Sequence, residues 1–309
     1  MPLHGLKADL ELIVLVLSAG IVSFFVSGAV FSNVMFTVLL VALFFLMGLH
    51  ADLRFFQALR TRRKEIMLSL EGIFILAPVI AFVFSYIPGP IGKAVLVVGV
   101  SASAFGSPKI WSNISNSDGE LVSFAATFSL LGSVAILPLI MQVYPLEIEM
   151  DLLLGNLPFV VVPFLVGVVS QSYETGILED IRLHFSKLSF WLIVAITLVQ
   201  ARLLYVNEGL LQLSVLALSS LVFILFIIMS FGYSHLLSRM SGFYEKEARS
   251  IGYITSSKNI GVALFIAAQV SGEVILLVCL YYFVRQLTGL AITDLYRHGE
   301  TRLKDRVAF

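Results

Sequence analysis

Two lysines stand in closely similar settings, Gly106-Ser107-Pro108-Lys109-Ile110 and Ser256-Ser257-Lys258-Asn259-Ile260-Gly261, each within an apolar segment long enough to span a membrane. An ammonium group at mid-bilayer depth costs roughly 2.5–3.5 kcal/mol even on a lenient insertion scale, so its presence there points to a use. It is a compact donor suited to a carboxylate, sulfonate or phosphate. Arg285 adds a third positive charge within an apolar run, and Glu71 is the one clear acid at such depth. With all four ionised, an excess of two positive charges is left in a low dielectric, which is unfavourable unless an anion fills it. The substrate-binding candidates are therefore Lys258, Asn259, Lys109, Ser107, Pro108, Asn113, Ser256 and Ser257, with Glu71 and Arg285 as coupling or ion-pairing groups. Each has a plainer alternative. Lys109 can snorkel from the end of its span, Glu71 can pair with Lys258 or exchange a proton, Arg285 can snorkel from its helix, and the hydroxyl and amide groups can satisfy freed backbone.

The elements that must position these groups follow from hydropathy. The chain has 309 residues, 59% hydrophobic and 13% charged, which no single soluble core of this size requires. A helix crossing about 30 Å of hydrocarbon needs roughly 20 residues. That ruler predicts an all-α integral membrane protein with ten transmembrane helices, near 10–28, 34–50, 66–87, 91–116, 119–144, 152–172, 186–204, 210–236, 249–269 and 274–294. The first run, from about Leu10, reads as a retained helix, not a signal peptide. With alternating spans, Lys7, Arg54, Arg60, Arg62, Arg63, Lys64, Arg182, Lys187, Arg239, Lys246, Arg249, Arg297, Arg302, Lys304 and Arg306 share one side, against Lys93 and Arg202 on the other. The positive-inside rule then places both termini in the cytoplasm, with Glu147, Glu149, Asp151, Glu208 and Glu273 outside.

Cut after the fifth span, the chain gives halves of about 1–145 and 146–309, and because five is odd the halves lie inverted in the membrane. The lysine motifs then occupy the fourth span of each half, helices 4 and 9. Helix 4 is overlong for one crossing and contains Gly106-Ser107-Pro108, so a break is expected near Gly106–Lys109, with a short second half from Ile110 to Asn116. Thr255-Ser256-Ser257 predicts a second break near Ile254–Lys258. Ser117-Asp118-Gly119-Glu120 reads as a capping box, with Ser117 the cap and Glu120 reaching back.

On Phe45-Leu46-Met47-Gly48-Leu49, the Gly106-Ser107-Pro108 break and Lys258-Asn259-Ile260-Gly261-Val262-Ala263, the chain resembles the bile acid:sodium symporter family. The resemblance implies a single transporter domain with a panel of helices 1, 2, 6 and 7, a core of helices 3, 4, 5, 8, 9 and 10, and substrate passing beside the crossing of helices 4 and 9. It also exposes departures. Sodium-coupled members carry an acid five positions before the asparagine that matches Asn259 and a glutamine immediately before it; here those positions are Ile254 and Lys258. A sodium site needs several hard oxygen ligands, and an adjacent ammonium opposes one.

Other classes find little in the sequence. Neutral net charge argues against nucleic acid, and Cys279 is the sole cysteine. His4, His50, His184, His235 and His298 show no metal-ligand spacing, and no phosphate loop or nucleophile elbow is present, so no metal, cofactor or enzymatic chemistry is expected. The sequence reads as a secondary transporter that carries a small organic anion by alternating access, in the plasma (inner) membrane of a prokaryote. The partners expected are that anion and the lipid bilayer, with oligomeric state open. Proton-coupled cation exchange on the same fold, an anion channel and a membrane sensor are the alternatives.

Overall fold

The structure, a computed structural model, describes residues 29–143, 148, 150–173, 180–181, 184–207 and 211–307. The span expected at 10–28 and the acids Glu147, Glu149 and Glu208 lie outside the described residues. Among these residues the chain is helical, with no strand beyond one isolated bridge between Ser103 and Lys258. In order the helices are α1 (Ala29–His50), α2 (Phe55–Thr61), α3 (Arg63–Glu71), α4 (Ala77–Ser85), α5 (Pro90–Val100), α6 (Gly106–Ile114) and α7 (Gly119–Val143). They are followed by α8 (Met150–Asn156), α9 (Pro158–Ser170), α10 (Phe185–Asn207), α11 (Leu213–Met240), α12 (Glu245–Ser256), α13 (Ile260–Ala267) and α14 (Gly272–Val307).

Among the described residues, four helical stretches are long and apolar enough to cross a membrane: Arg63–Ser85, Leu153–Ser170, Leu213–Met240 and Gly272–Arg297. Their outer faces carry apolar residues at helical spacing, such as Ile75, Val79 and Val83, all exposed. Such a stripe is stable against lipid, where exposed apolar side chains cost nothing. Tight backbone approach joins α1 to α9. An added Cβ at Gly48 would meet the Phe164 carbonyl oxygen at 2.1 Å and one at Gly167 the Phe45 oxygen at 2.2 Å, so only glycine lets these helices come so near.

Helices 4 and 9 of the sequence reading are broken and helix 3 carries a π turn, each for a local reason. Between α3 and α4 the residues Gly72–Leu76 form a π turn, and the Ala77 N–H bonds five residues back to the Gly72 carbonyl. Pro78 follows with no N–H to give. The Ile73 carbonyl therefore loses both helical donors, since Ala77 is engaged with Gly72 and Pro78 has none.

The break in helix 4 lies upstream of its expected place. The chain leaves α5 at Ser101, where the backbone becomes extended, and re-enters helix at Gly106. Gly106-Ser107-Pro108 opens α6 rather than ending a helix. A proline in the first turn loses no hydrogen bond, because the leading N–H groups have no intrahelical partner. The second half is thus Gly106–Ile114, not Ile110 to Asn116. In helix 9 the break is Ser257-Lys258-Asn259, at the downstream end of the expected region. Asn259 caps α13, its side-chain oxygen accepting from the N–H groups of Gly261 and Val262 at 3.0 and 3.2 Å.

The expected cap on α7 also changes. Asp118, not Ser117, accepts the Leu121 N–H at 3.0 Å, and its other oxygen takes Arg62 Nη2 at 2.6 Å. Glu120 is exposed and lies 3.8 Å from Arg54, while the Ser117 hydroxyl pairs with that of Ser115. The carboxylate wins because it can cap the helix and bind the guanidinium at once.

Candidate functional site at the helix crossing

The two breaks meet. Ala104 N–H donates to the Ser257 carbonyl at 2.8 Å and Asn259 N–H to the Ala102 carbonyl at 2.7 Å, an antiparallel pair of bonds centred on Ser103 and Lys258. Side chains satisfy much of the remaining backbone. Ser103 Oγ donates to the Ile254 carbonyl at 2.8 Å, and Ser129 Oγ receives the Ser103 N–H at 3.0 Å. Tyr281 accepts the Lys258 N–H at 2.9 Å and donates to the Ser256 carbonyl at 3.2 Å. Unpaired backbone at this depth would cost several kcal/mol per group, so the crossing holds only because these donors and acceptors are supplied together. The N-termini of α6 and α13 both begin at the crossing, bringing positive dipole ends beside it.

Beside the crossing lies a cavity of about 300 Å³, and its walls come from α1, the α5–α6 break, α10, the α12–α13 break and α14. Leu43, Met47, Phe105, Trp111, Phe190, Ile193 and Tyr282 give it an apolar and aromatic lining. Its polar groups are Ser107, Ser189, Asn259, Arg285 and Gln286. Arg285 is buried; its Nη1 donates to the Lys258 carbonyl at 2.6 Å and its Nη2 to Ser107 Oγ at 3.4 Å. Its guanidinium lies over the Tyr282 ring, 5.0 Å from the centroid. Among the described residues Arg285 Nε and Ser189 Oγ have no hydrogen-bond partner, and no carboxylate lies within 4.0 Å of the guanidinium. A buried, uncompensated guanidinium flanked by a hydroxyl, an amide and aromatic faces is the chemistry of an anion site for a molecule with an apolar body.

Of the residues singled out in sequence, the structure brings Ser107, Asn259 and Arg285 to this cavity. Lys258 does not line it. Its side chain is completely buried on the other side of the crossing, and Nζ donates to the carbonyls of Ile73 at 2.8 Å and Ser101 at 3.1 Å. Glu71 does not accompany it: the Glu71 side chain is exposed at the end of α3. Ser256 and Ser257 are buried within the break, and Ser256 Oγ donates to the Tyr253 carbonyl at 3.4 Å. Pro108 is buried in the first turn of α6, and Asn113 packs its amide oxygen against Gly119, where an added Cβ would lie 2.1 Å away. Lys109 is half-buried and near Asp52. Burial pushes the Asp52 carboxyl up, but hydrogen bonds from Arg54 and the charges of Arg54 and Lys109 outweigh it and hold it below the usual carboxylate value.

Sequence reasoning missed Trp111, Ser189, Phe190, Tyr282 and Gln286, and gave Arg285 only a coupling or pairing role. An arginine within 274–294 is as costly in a membrane span as Lys258, and Gln286 directly after it was a further sign. The aromatic residues carried no such signal, since phenylalanines and tyrosines fill every span.

Apolar helices whose two discontinuities cross beside a largely apolar cavity with a few polar groups have the architecture of a membrane transporter. Residues 37–239 match the Sodium Bile acid symporter family, and the chain belongs to that family. Membership makes it an integral membrane transporter of that type; members are transporters rather than enzymes. The match ends before α12, so Lys258, Asn259 and Arg285 all lie beyond the matched residues. The search against curated proteins returned no match.

Proposed function

We propose that the protein is a ten-helix secondary transporter that carries a small organic anion by alternating access, with Arg285 as the countercharge. The observation that carries this reading is the buried guanidinium beside Ser107 and Asn259 in an otherwise apolar cavity. Two oxygens of a carboxylate or sulfonate can take paired bonds from such a fork, and Trp111, Phe190 and Tyr282 suit a hydrophobic or aromatic body. The substrate site of the sequence reading is thereby moved from Lys258 to Arg285, with Ser107 and Asn259 retained.

The inverted repeat, the panel of helices 1, 2, 6 and 7 and the core of the remaining six complete the proposed architecture. With both termini cytoplasmic, the first turns of α10 and the second half of α14 lie toward the cytoplasm, so the cavity opens inward. At the opposite end Asn156 Nδ2 donates to Gln269 Oε1 at 3.4 Å, which ties α8 to the end of α13 and suits a closed outer side. Coupling to sodium through the usual family positions is not expected, because Ile254 and Lys258 offer no oxygen ligand from their side chains.

A thermal-shift screen of the purified protein against carboxylates, sulfonates and phosphates, with sodium or choline as the cation, tests this directly. A carboxylate or sulfonate should raise the melting temperature equally in both salts, because a ligand that binds the folded state stabilises it. Stabilisation by organic cations alone would point to exchange of cations instead.

A further inference from the structure

We propose that the start of α3 docks an anionic phospholipid, with Arg60, Arg63 and Lys64 on its headgroup phosphate and the apolar stripe below them along an acyl chain. The inference goes beyond the transport reading and does not depend on it. Its first ground is a contrast in pairing. Two basic side chains of this region are engaged, Arg54 with Asp52 at 3.1 Å and Arg62 with Asp118 at 2.6 Å. Arg60, Arg63 and Lys64 are exposed, and among the described residues none of them has a carboxylate within 4.0 Å.

The second ground is where these cations stand. Helix α3 opens the apolar stretch Arg63–Ser85, so they mark the level at which the chain enters the membrane. Arg63, Met67, Glu71, Ile75, Val79 and Val83 recur every fourth residue and all are exposed, which puts them on one face. From Arg63 to Ile75 the helix rises about 18 Å, the depth of one leaflet with its headgroup region. The face therefore offers positive charge at headgroup level and apolar surface beneath it, which a phospholipid matches along its whole length. A soluble phosphate would match only the top. Glu71 is the one acid on the stripe, and since Cα–Cβ bonds tilt toward the helix N-terminus its side chain leans toward the cations. Three positive charges against one negative leave the face positive, so it prefers a net anionic headgroup to a zwitterionic one, whose ammonium it repels.

The test is lipid retention by the purified protein in detergent, counted by native mass spectrometry, with phosphatidylglycerol and phosphatidylcholine of the same acyl chains. Each basic residue at a charged membrane surface is worth roughly fivefold in binding, so wild type should prefer phosphatidylglycerol by roughly tenfold or more. It should also melt several degrees higher with that lipid than with phosphatidylcholine. The triple variant Arg60→Gln, Arg63→Gln, Lys64→Gln should retain both lipids equally, and Glu71→Gln should sharpen the preference. Equal retention by wild type would overturn the proposal, as would a preference that survives in the triple variant. Stabilisation by soluble glycerol phosphate equal to that by phosphatidylglycerol would overturn it too, because the acyl chain would then contribute nothing. No transported anion takes part, so these results and those of the anion screen stand or fall separately.

Discussion

Arg285→Met removes the guanidinium while keeping much of the apolar stem, and its effect on anion affinity can be estimated from the geometry. A carboxylate about 4 Å from the guanidinium gains about 4 kcal/mol at an effective dielectric constant near 20. The anion surrenders hydration to enter, and charge-assisted hydrogen bonds contribute about 1.5–3 kcal/mol net. A loss of about 2–3 kcal/mol is therefore expected, roughly a 30- to 150-fold rise in Kd. The variant also strands the Lys258 carbonyl, which loses its 2.6 Å donor, so a modest fall in melting temperature should accompany it. Arg285→Lys restores the charge without the fork and should recover part of the affinity. Calorimetric titration of the best acid from the screen, on variants shown to be folded, reads the effect. Unchanged affinity in folded Arg285→Met would refute the assignment of the anion to this guanidinium.

Three further outcomes follow from the packing and the caps. Gly167→Ala should destabilise the protein by about 1–3 kcal/mol by driving α1 and α9 apart, whereas Gly155→Ala, in a helix with nothing within 4 Å of the added methyl, should keep or slightly raise the melting temperature. Asn259→Ala should lose the α13 cap, about 1 kcal/mol, and the amide facing the cavity; Asn259→Asp should keep the cap yet weaken anion binding, since its new charge repels the ligand. Asp118→Asn should lower stability at neutral pH by about 1 kcal/mol, measured by denaturation at several pH values. Burial raises the Asp118 carboxyl, but bonds from Arg62 and the Leu121 N–H with the charges of Arg62 and Lys246 outweigh it, so its folded pKa lies below the unfolded value. Its contribution is then complete above about pH 4 and fades as pH falls through the folded value, so wild type and variant should converge in acid.

Hydropathy marked the apolar segments that are helical among the described residues, because lipid imposes one strong rule on long segments: bury the backbone bonds and expose apolar side chains. The crossing was also legible, since Pro108 and the Thr255-Ser256-Ser257 run are costly inside an uninterrupted span. The position of the first break was not, because proline is as much at home in an opening turn as at a kink, and only the extended backbone at Ser101 decides between them. That Arg285 and not Lys258 lines the cavity was hidden for a similar reason. Depth along a span can be read from sequence, but the direction a side chain leaves a broken helix cannot. Nor does the sequence show that a π turn before Pro78 frees a carbonyl for Lys258, because that vacancy arises from hydrogen-bond register rather than residue type. The cavity's aromatic wall is assembled from α6, α10 and α14, segments far apart in the chain, and no local pattern announces it.

The central claim is that a small organic anion binds at Arg285 beside the crossing. A structure determined with the tightest-binding acid from the screen tests it most directly. The account predicts the acid group within hydrogen-bonding distance of Arg285 and Ser107, with the body against Trp111 and Tyr282. An acid found elsewhere, with this cavity empty at saturating concentration, would contradict it.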